Sequence, residues 1–151
     1  MSTPDKFVVD LSKWVAKAKG NMDQVVRKVV LDLGTRLVLR SPVGDATYWL
    51  HPAPKGYVGG QFRANWQYGE TVMPRGTLNT VDTRGSKTIA AIGARLKPGA
   101  AGKVHWLVNN LPYAQRIENG WSKRQAPSGV VGVTVVEYQS IVRRAVRGLK
   151  P

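Results

Sequence analysis

The chain has 151 residues, which is enough for one domain with a buried core and few for two. Its apolar fraction of 42% argues against a wholly disordered chain, and the lack of cysteine excludes disulfides and thiolate metal sites. The 23 Lys and Arg against 9 Asp and Glu give a net charge of +14, which fits either a solvated basic surface or a negatively charged partner such as an acidic protein, nucleic acid or an anionic membrane.

The first quarter of the chain is predicted to be helical. A short helix covers residues 7–19, and Gly20 and Asn21 are expected to break or bend the chain after it, because both residue types weaken helix interiors. From residue 22 to residue 40 apolar side chains recur every three or four positions, which predicts a long helix capped by Asn21 or Asp23. Its apolar face would carry Met22, Val26, Val29, Val30, Leu33 and Leu37.

The stretch that follows, residues 41–66, reads SPVGDATYWLHPAPKGYVGGQFRANW. Its glycines and prolines predict a long loop at about residues 44–60, and long loops inside compact domains are usually functional or flexible. The aromatic side chains of Tyr48, Trp49 and Tyr57 are therefore expected to cover the fold or to contact a partner.

The rest of the chain predicts a small sheet followed by a second helix. Strand-like patterns cover residues 62–68, 70–73, 87–96 and 103–108. These segments predict an antiparallel sheet of three to four strands. Residues 113–119 predict a short helix closed by Gly120, and residues 133–149 predict the C-terminal helix. The expected fold class is α+β, as a single domain over residues 1–151.

The residues for catalysis are sparse. His51 and His105 have no partner at metal-ligand spacing, so packing or surface roles are favoured over metal binding. The nine carboxylates single out no pair for acid–base chemistry, and no nucleophile elbow is present. The glycine-rich residues 56–60 lack the Gly-Lys-Ser/Thr ending of a phosphate loop. We therefore expect no enzyme activity and no metal or cofactor.

Two groups of residues combine aromatic and basic side chains as a nucleic-acid surface would: Phe62, Arg63 and Trp66 in the first, and Trp121, Lys123 and Arg124 in the second. For the first group a structural role is favoured. Phe62 and Trp66 would pack in the core, and Arg63 would extend to the surface or pair with Glu70 or Glu118. A basic nucleic-acid-binding protein remains the alternative reading of the chain.

Residues 41–66 and 111–130 resemble the siphophage tail-component proteins of the head–tail joining and tail-completion type. In that family a long helix runs into "small-Pro-Val-Asp-Thr-Gly-x-Leu-x-x-Ser-Trp". Here Ser41-Pro42-Val43 precedes the inserted loop, and Gly60-Gln61-Phe62-Arg63-Ala64-Asn65-Trp66 follows it. The family's later segment is matched by Tyr113-Ala114, Glu118, Gly120-Trp121-Ser122 and Ala126-Pro127-Ser128-Gly129, before a closing helix. The loop at 44–60 departs from the family pattern.

The resemblance implies a structural virion protein of a tailed phage, part of a head–tail joining ring that is sixfold to match a tail tube. Its neighbours would be head–tail connector and tail proteins, with genomic DNA passing close by. No apolar run reaches the length of a membrane span, and the N-terminus lacks a secretory pattern. Assembly in the bacterial host cytoplasm and a final place in the neck or tail are expected.

The contacts of such a ring are expected to involve exposed aromatic anchors and arginine-rich surface, as protein interfaces commonly do. The candidate interface residues are Tyr48, Trp49, Tyr57, Trp121, Lys123, Arg124, Arg143 and Arg147. A head-to-tail ring also needs two different faces on each subunit. The long loop and the C-terminal helix are the candidates for these faces.

Overall fold

One continuous helix, α1 (Pro4–Arg40), opens the computed structural model. The structure describes the backbone of residues 4–149, and the side chains of Lys13 and of residues 16–149 other than Tyr48. The expected break at Gly20 is wrong, since a helical glycine costs only about 1 kcal/mol and packing further along the helix outweighs it. Asp23 does not cap a helix start. Its carboxylate accepts a hydrogen bond from the Ala100 backbone and pairs with Arg27 at 3.1 Å.

The sheet consists of two strands in the described part of the chain, so the expectation of three to four strands is wrong. After the short helix α2 (Gln61–Ala64) comes β1 (Trp66–Glu70), which pairs antiparallel with β2 (His105–Asn109). In the register Trp66 lies opposite Asn109, and Glu70 opposite His105. The predicted strand at 103–108 is thus largely confirmed, and the one at 62–68 begins as a helical turn.

Residues 87–96, predicted as a strand, form most of a helix, α3 (Ser86–Arg95). Its start is fixed by the buried carboxylate of Asp82, which accepts hydrogen bonds from the backbone of Gly85 at 2.9 Å and of Thr88 at 2.8 Å. The Thr88 hydroxyl donates to the same carboxylate at 2.8 Å. Ile92 is buried against the main core, so the segment follows the helical period rather than the strand period.

Three further helices complete the described chain: α4 (Ala114–Glu118), α5 (Val131–Val135) and α6 (Tyr138–Arg147). The short helix expected at 113–119 is confirmed. The helix expected at 133–149 is two helices, whose junction is held by Glu137. The Glu137 carboxylate binds Arg36 and Arg40 of α1, and Arg40 also donates to the Thr134 hydroxyl at 3.1 Å.

The core lies on two sides of α1. The larger cluster gathers residues from α1, α2, β1, α3, the connection after β2 and the loop before α5: Val30, Leu37, Val38, Phe62, Trp66, Tyr68, Ile92, Leu111, Ala126 and Val130. In the smaller cluster Ile141 and Ala145 of α6 pack on Val29. The core positions expected for Phe62 and Trp66 are confirmed. In the described residues, no helix has the length and apolar character to cross a membrane.

The α+β architecture, with its long N-terminal helix and its C-terminal helix, is therefore as expected. Residues 44–60 are an irregular loop that contains only a short 3-10 turn at Ala46–Tyr48. None of the described side chains of this loop belongs to either core cluster, whereas the segment between α4 and α5 contributes Ala126 and Val130.

Candidate protein-binding groove

The two distinctive stretches of the sequence face each other across one open groove of about 1010 Å³. Residues of the 42–62 segment form one wall and residues of the 113–125 segment form the other. Asn79, Thr80 and Val81 contribute the remaining lining. Since most of the lining surface is apolar, the groove has the character of a binding site for apolar groups.

The base of the first wall is fixed to the end of α1. The Trp66 indole N–H donates to the Ser41 hydroxyl at 2.7 Å, and that hydroxyl donates to the Leu37 carbonyl at 2.6 Å. Helix ends leave carbonyl groups without partners, and Arg63 supplies donors to them. Its guanidinium donates to the Ser41 carbonyl at 2.7 Å and the Leu39 carbonyl at 3.1 Å.

Arg63 also donates to the carbonyl of Thr83 at 2.8 Å, which ties the segment before α3 to the same point. The expected pairing of Arg63 with Glu70 or Glu118 is therefore wrong. Glu70 instead binds Lys103 at 2.9 Å. Arg63 stabilises backbone carbonyls, so the first aromatic–basic group is structural.

The outer part of the first wall is held by aromatic packing and by one glutamine. The rings of Trp49 and Tyr57 meet edge to face with centroids 4.8 Å apart. The side-chain amide of Gln125 accepts from the Val43 N–H at 2.8 Å and donates to the Val43 carbonyl at 2.7 Å. These two bonds link the long loop to the opposite wall, so the groove has a defined width on this side.

The second wall is locked by Glu118, at the end of α4. Its carboxylate accepts backbone hydrogen bonds from Val130 at 2.9 Å, Val131 at 2.8 Å and Gly132 at 2.9 Å, which are the donors at the start of α5. Partial burial alone would raise the pKa of the Glu118 carboxyl. The three N–H donors outweigh that effect and hold the pKa below its ordinary value.

Gly129 completes this lock. Its φ of +81° favours glycine, and a Cβ there would lie 2.4 Å from the Glu118 carbonyl oxygen. The Glu-x-Gly and Ser-Gly parts of the second stretch are therefore explained by a loop that closes back onto α4. The residues between them, 121–125, are presented to the groove by this closed loop.

Trp121 is the most exposed aromatic side chain of the groove, with 69% of its surface accessible. The guanidinium carbon of Arg116 lies 5.1 Å from the centre of its ring, within the range of a cation–π contact. Among the lining residues Arg116, Lys123 and Arg124 are basic and Asp45 alone is acidic. Hydrogen bonds from the Thr47 backbone and hydroxyl lower the pKa of Asp45 and occupy its carboxylate.

Five of the eight expected interface residues line the groove: Trp49, Tyr57, Trp121, Lys123 and Arg124. Arg143 and Arg147 are exposed on α6 and do not line it, and the side chain of Tyr48 lies outside the described residues. Sequence reasoning missed Arg116 and Gln125. Arg116 could have been found as the basic residue of the helix that Gly120 closes, whereas Gln125 carries no local signal.

The two histidines differ in their surroundings. The His105 Nδ1 lies 2.7 Å from the Tyr68 hydroxyl and its Nε2 lies 2.8 Å from the Ala100 carbonyl, so the expected packing role is confirmed. His51 is exposed in the long loop. The described part of the chain contains no cluster of three or more His, Cys, Asp or Glu that could hold a metal ion.

The chain matches no protein-family model, no curated protein and no solved structure. The groove itself has a distinct chemical character. Its chemistry is that of a fixed apolar cleft with an exposed indole and a basic rim, an arrangement that suits recognition of another macromolecule.

Proposed function

We propose that this chain is a structural subunit of the head–tail joining or tail-completion ring of a tailed phage, and that it contacts its neighbours through the groove. The observation that supports this most is the exposure of Trp121 beside Arg116 on a wall locked by Glu118. Tryptophan and arginine are the residue types that most often dominate protein interfaces. The order of the sequence motifs that resemble the family supports the same proposal.

Contacts between the copies of a ring need surfaces besides the groove, because a head-to-tail contact joins two different ones. The junction of α5 and α6 provides an apolar patch that does not line the groove. Val136 is 84% exposed there, and Val135 and Tyr138 are at least half exposed beside it. In the proposed ring, of six copies to match a tail tube, the groove and this patch serve different neighbours.

Deletion of the gene in its source phage or prophage tests the proposal. Electron microscopy of the lysate should show full heads and separate tails, and added purified protein should restore complete particles. Trp121→Ala protein should fold but restore few particles, whereas Met22→Ala, which removes an exposed apolar side chain of α1, should restore them as the wild type does. Normal infectious particles from the deletion strain would contradict the proposal.

The net charge of +14 gives the alternative of a nucleic-acid-binding protein a direct test. Purely electrostatic binding to DNA fades steeply as the salt concentration rises to ~0.2 M. Specific or cooperative DNA binding that persists at that salt concentration would favour the alternative. Loss of binding, together with the separated heads and tails of the deletion strain, would favour the ring subunit.

A further inference from the structure

We infer that the groove binds a short acidic segment of another protein, with at least one apolar side chain of that segment seated between the two walls. The inference deepens the proposed function by naming the chemistry of the neighbour. It rests on the proposed function in one respect: that function implies that the protein carrying the segment is a virion protein. The observations that support the inference are the basic rim, the apolar lining and the fixed width of the groove.

Charge complementarity selects an acidic partner. Arg116, Lys123 and Arg124 lie along the second wall, and the carboxylate of Asp45 is already bonded to Thr47. Three basic residues against one acidic residue give the lining a net positive charge, which favours both the docking rate and the register of an acidic segment. A basic segment would be repelled by these side chains, and a neutral segment would lack the charge attraction.

A second copy of this chain fits the groove poorly. Its nine acidic residues are few, and six of them already bond within their own chain: Asp23, Asp45, Glu70, Asp82, Glu118 and Glu137. Breaking such bonds to supply carboxylates to a neighbour would sacrifice stability of the subunit. The partner is accordingly a different protein.

The lining favours a peptide over single-stranded nucleic acid. Bases bind by stacking on free ring faces, together with a basic track for the phosphates. Here Arg116 already covers one face of Trp121, and Trp49 packs edge to face with Tyr57. The apolar side chains of Phe62 and Ile117 instead suit an aliphatic or aromatic side chain.

The walls are also fixed before any partner arrives. Gln125 ties the long loop to the second wall, and Glu118 holds the loop that carries Trp121. A preformed groove loses less conformational entropy on binding than a loop that must first be ordered. The segment can therefore be short, because its contacts do not have to offset an entropy cost of ordering the groove.

Selection from a display library of random peptides about twelve residues long, ~40 Å when extended, tests the inference with the full chain as bait. The enriched peptides should be rich in Asp and Glu around one or more apolar residues. A synthetic, fluorescein-labelled copy of the most enriched peptide should then bind the wild type. Its affinity for Trp121→Ala and for Lys123→Glu should be lower by about tenfold or more. Matched controls are Met22→Ala and Arg75→Glu, which remove an exposed apolar side chain and reverse an exposed charge outside the groove and should leave the affinity unchanged.

Three results would overturn the inference: enrichment of basic or neutral peptides, equal losses in the control variants, or tighter binding of an oligo-dT probe through Trp121 and Lys123. Far-ultraviolet circular dichroism of each variant separates lost binding from lost folding. The outcome is independent of the deletion experiment. If the acidic peptide binds but the deletion strain makes normal particles, only the ring assignment is refuted. If the deletion strain makes separate heads and tails but no acidic peptide binds, only the inference about the groove is refuted.

Discussion

Replacing Glu118 by glutamine removes the charge that holds α5 against α4, and the size of the side chain hardly changes. The carboxylate receives three backbone N–H donors, two on Oε2 and one on Oε1. An amide has one acceptor oxygen, so in Glu118→Gln at least one of these donors would face the NH₂ group instead. We expect a folded but less stable protein.

The magnitude follows from the number of bonds. A hydrogen bond to a charged group contributes about 1.5–3 kcal/mol and a neutral one about 0.5–1.5 kcal/mol. Two weakened bonds and one lost bond, discounted for the partial exposure of Glu118, lower the free energy of unfolding by about 2–3 kcal/mol. For a chain of this size each kcal/mol lowers the Tm by about 2–4 °C. The expected change in Tm is therefore about 5–10 °C.

The pH dependence gives a second signature. Because the pKa of Glu118 in the folded protein lies below its ordinary value of 4.5, the carboxylate stabilises the fold above that pH. The stabilisation is lost as the pH falls through the lowered pKa. Glutamine does not titrate, so the difference in stability between wild type and Glu118→Gln should be constant near neutral pH and shrink below about pH 5.

Urea unfolding at a series of pH values measures both effects. The matched control is Glu70→Gln, since Glu70 forms a surface ion pair with Lys103 that is expected to contribute less than about 1 kcal/mol. If Glu118→Gln destabilised no more than Glu70→Gln, or if its deficit were the same at acid and neutral pH, the carboxylate would not be the lock described above.

Two other variants test the supports of the first wall. Arg63→Lys should lower the free energy of unfolding by about 2 kcal/mol, because a compact ammonium group cannot reach all three carbonyls that the wider guanidinium spans, while the exposed Arg75→Lys should leave the urea midpoint unchanged. Equal midpoints for the two variants would count against the capping role. Gly85→Ala should destabilise by about 3 kcal/mol or more, since φ is +84° and the new Cβ would lie 2.6 Å from Val38. Gly76→Ala, with φ +79° and open space around it, should cost only about 1 kcal/mol, and thermal unfolding that ranked the two alike would refute the steric argument.

The elements that could be predicted from the sequence are those whose signals are local. The apolar period of residues 22–40 and the glycine that closes α4 both depend on neighbours within one or two helical turns. The helix at Ser86–Arg95 was missed because the apolar pattern does not report the polar cap at its start, where Asp82 accepts hydrogen bonds from Gly85 and Thr88. A weak alternation then looked like a strand.

The groove shows the same limit. Its aromatic and basic members, such as Trp121 and Lys123, could be selected by residue type, since their positions do not follow the apolar period of a helix or a strand. Gln125 could not, because it reaches the groove through the loop that Glu118 closes. That closure joins residues 12 to 14 positions apart, and no helix or strand period connects them.

Most carboxylates of this chain are bonded to other groups of the same folded chain. Carboxylates are bonded to helix starts, as at Asp82 and Glu118, or to the chain's own cations, as at Glu70 and Glu137. A free copy with a net charge of +14 is therefore surrounded by dissolved anions and repels other copies at low ionic strength. An acidic neighbour would displace those anions and gather copies that otherwise stay dispersed. In the proposed ring, the neighbour would act as the template, and ionic strength would set how readily subunits collect on it.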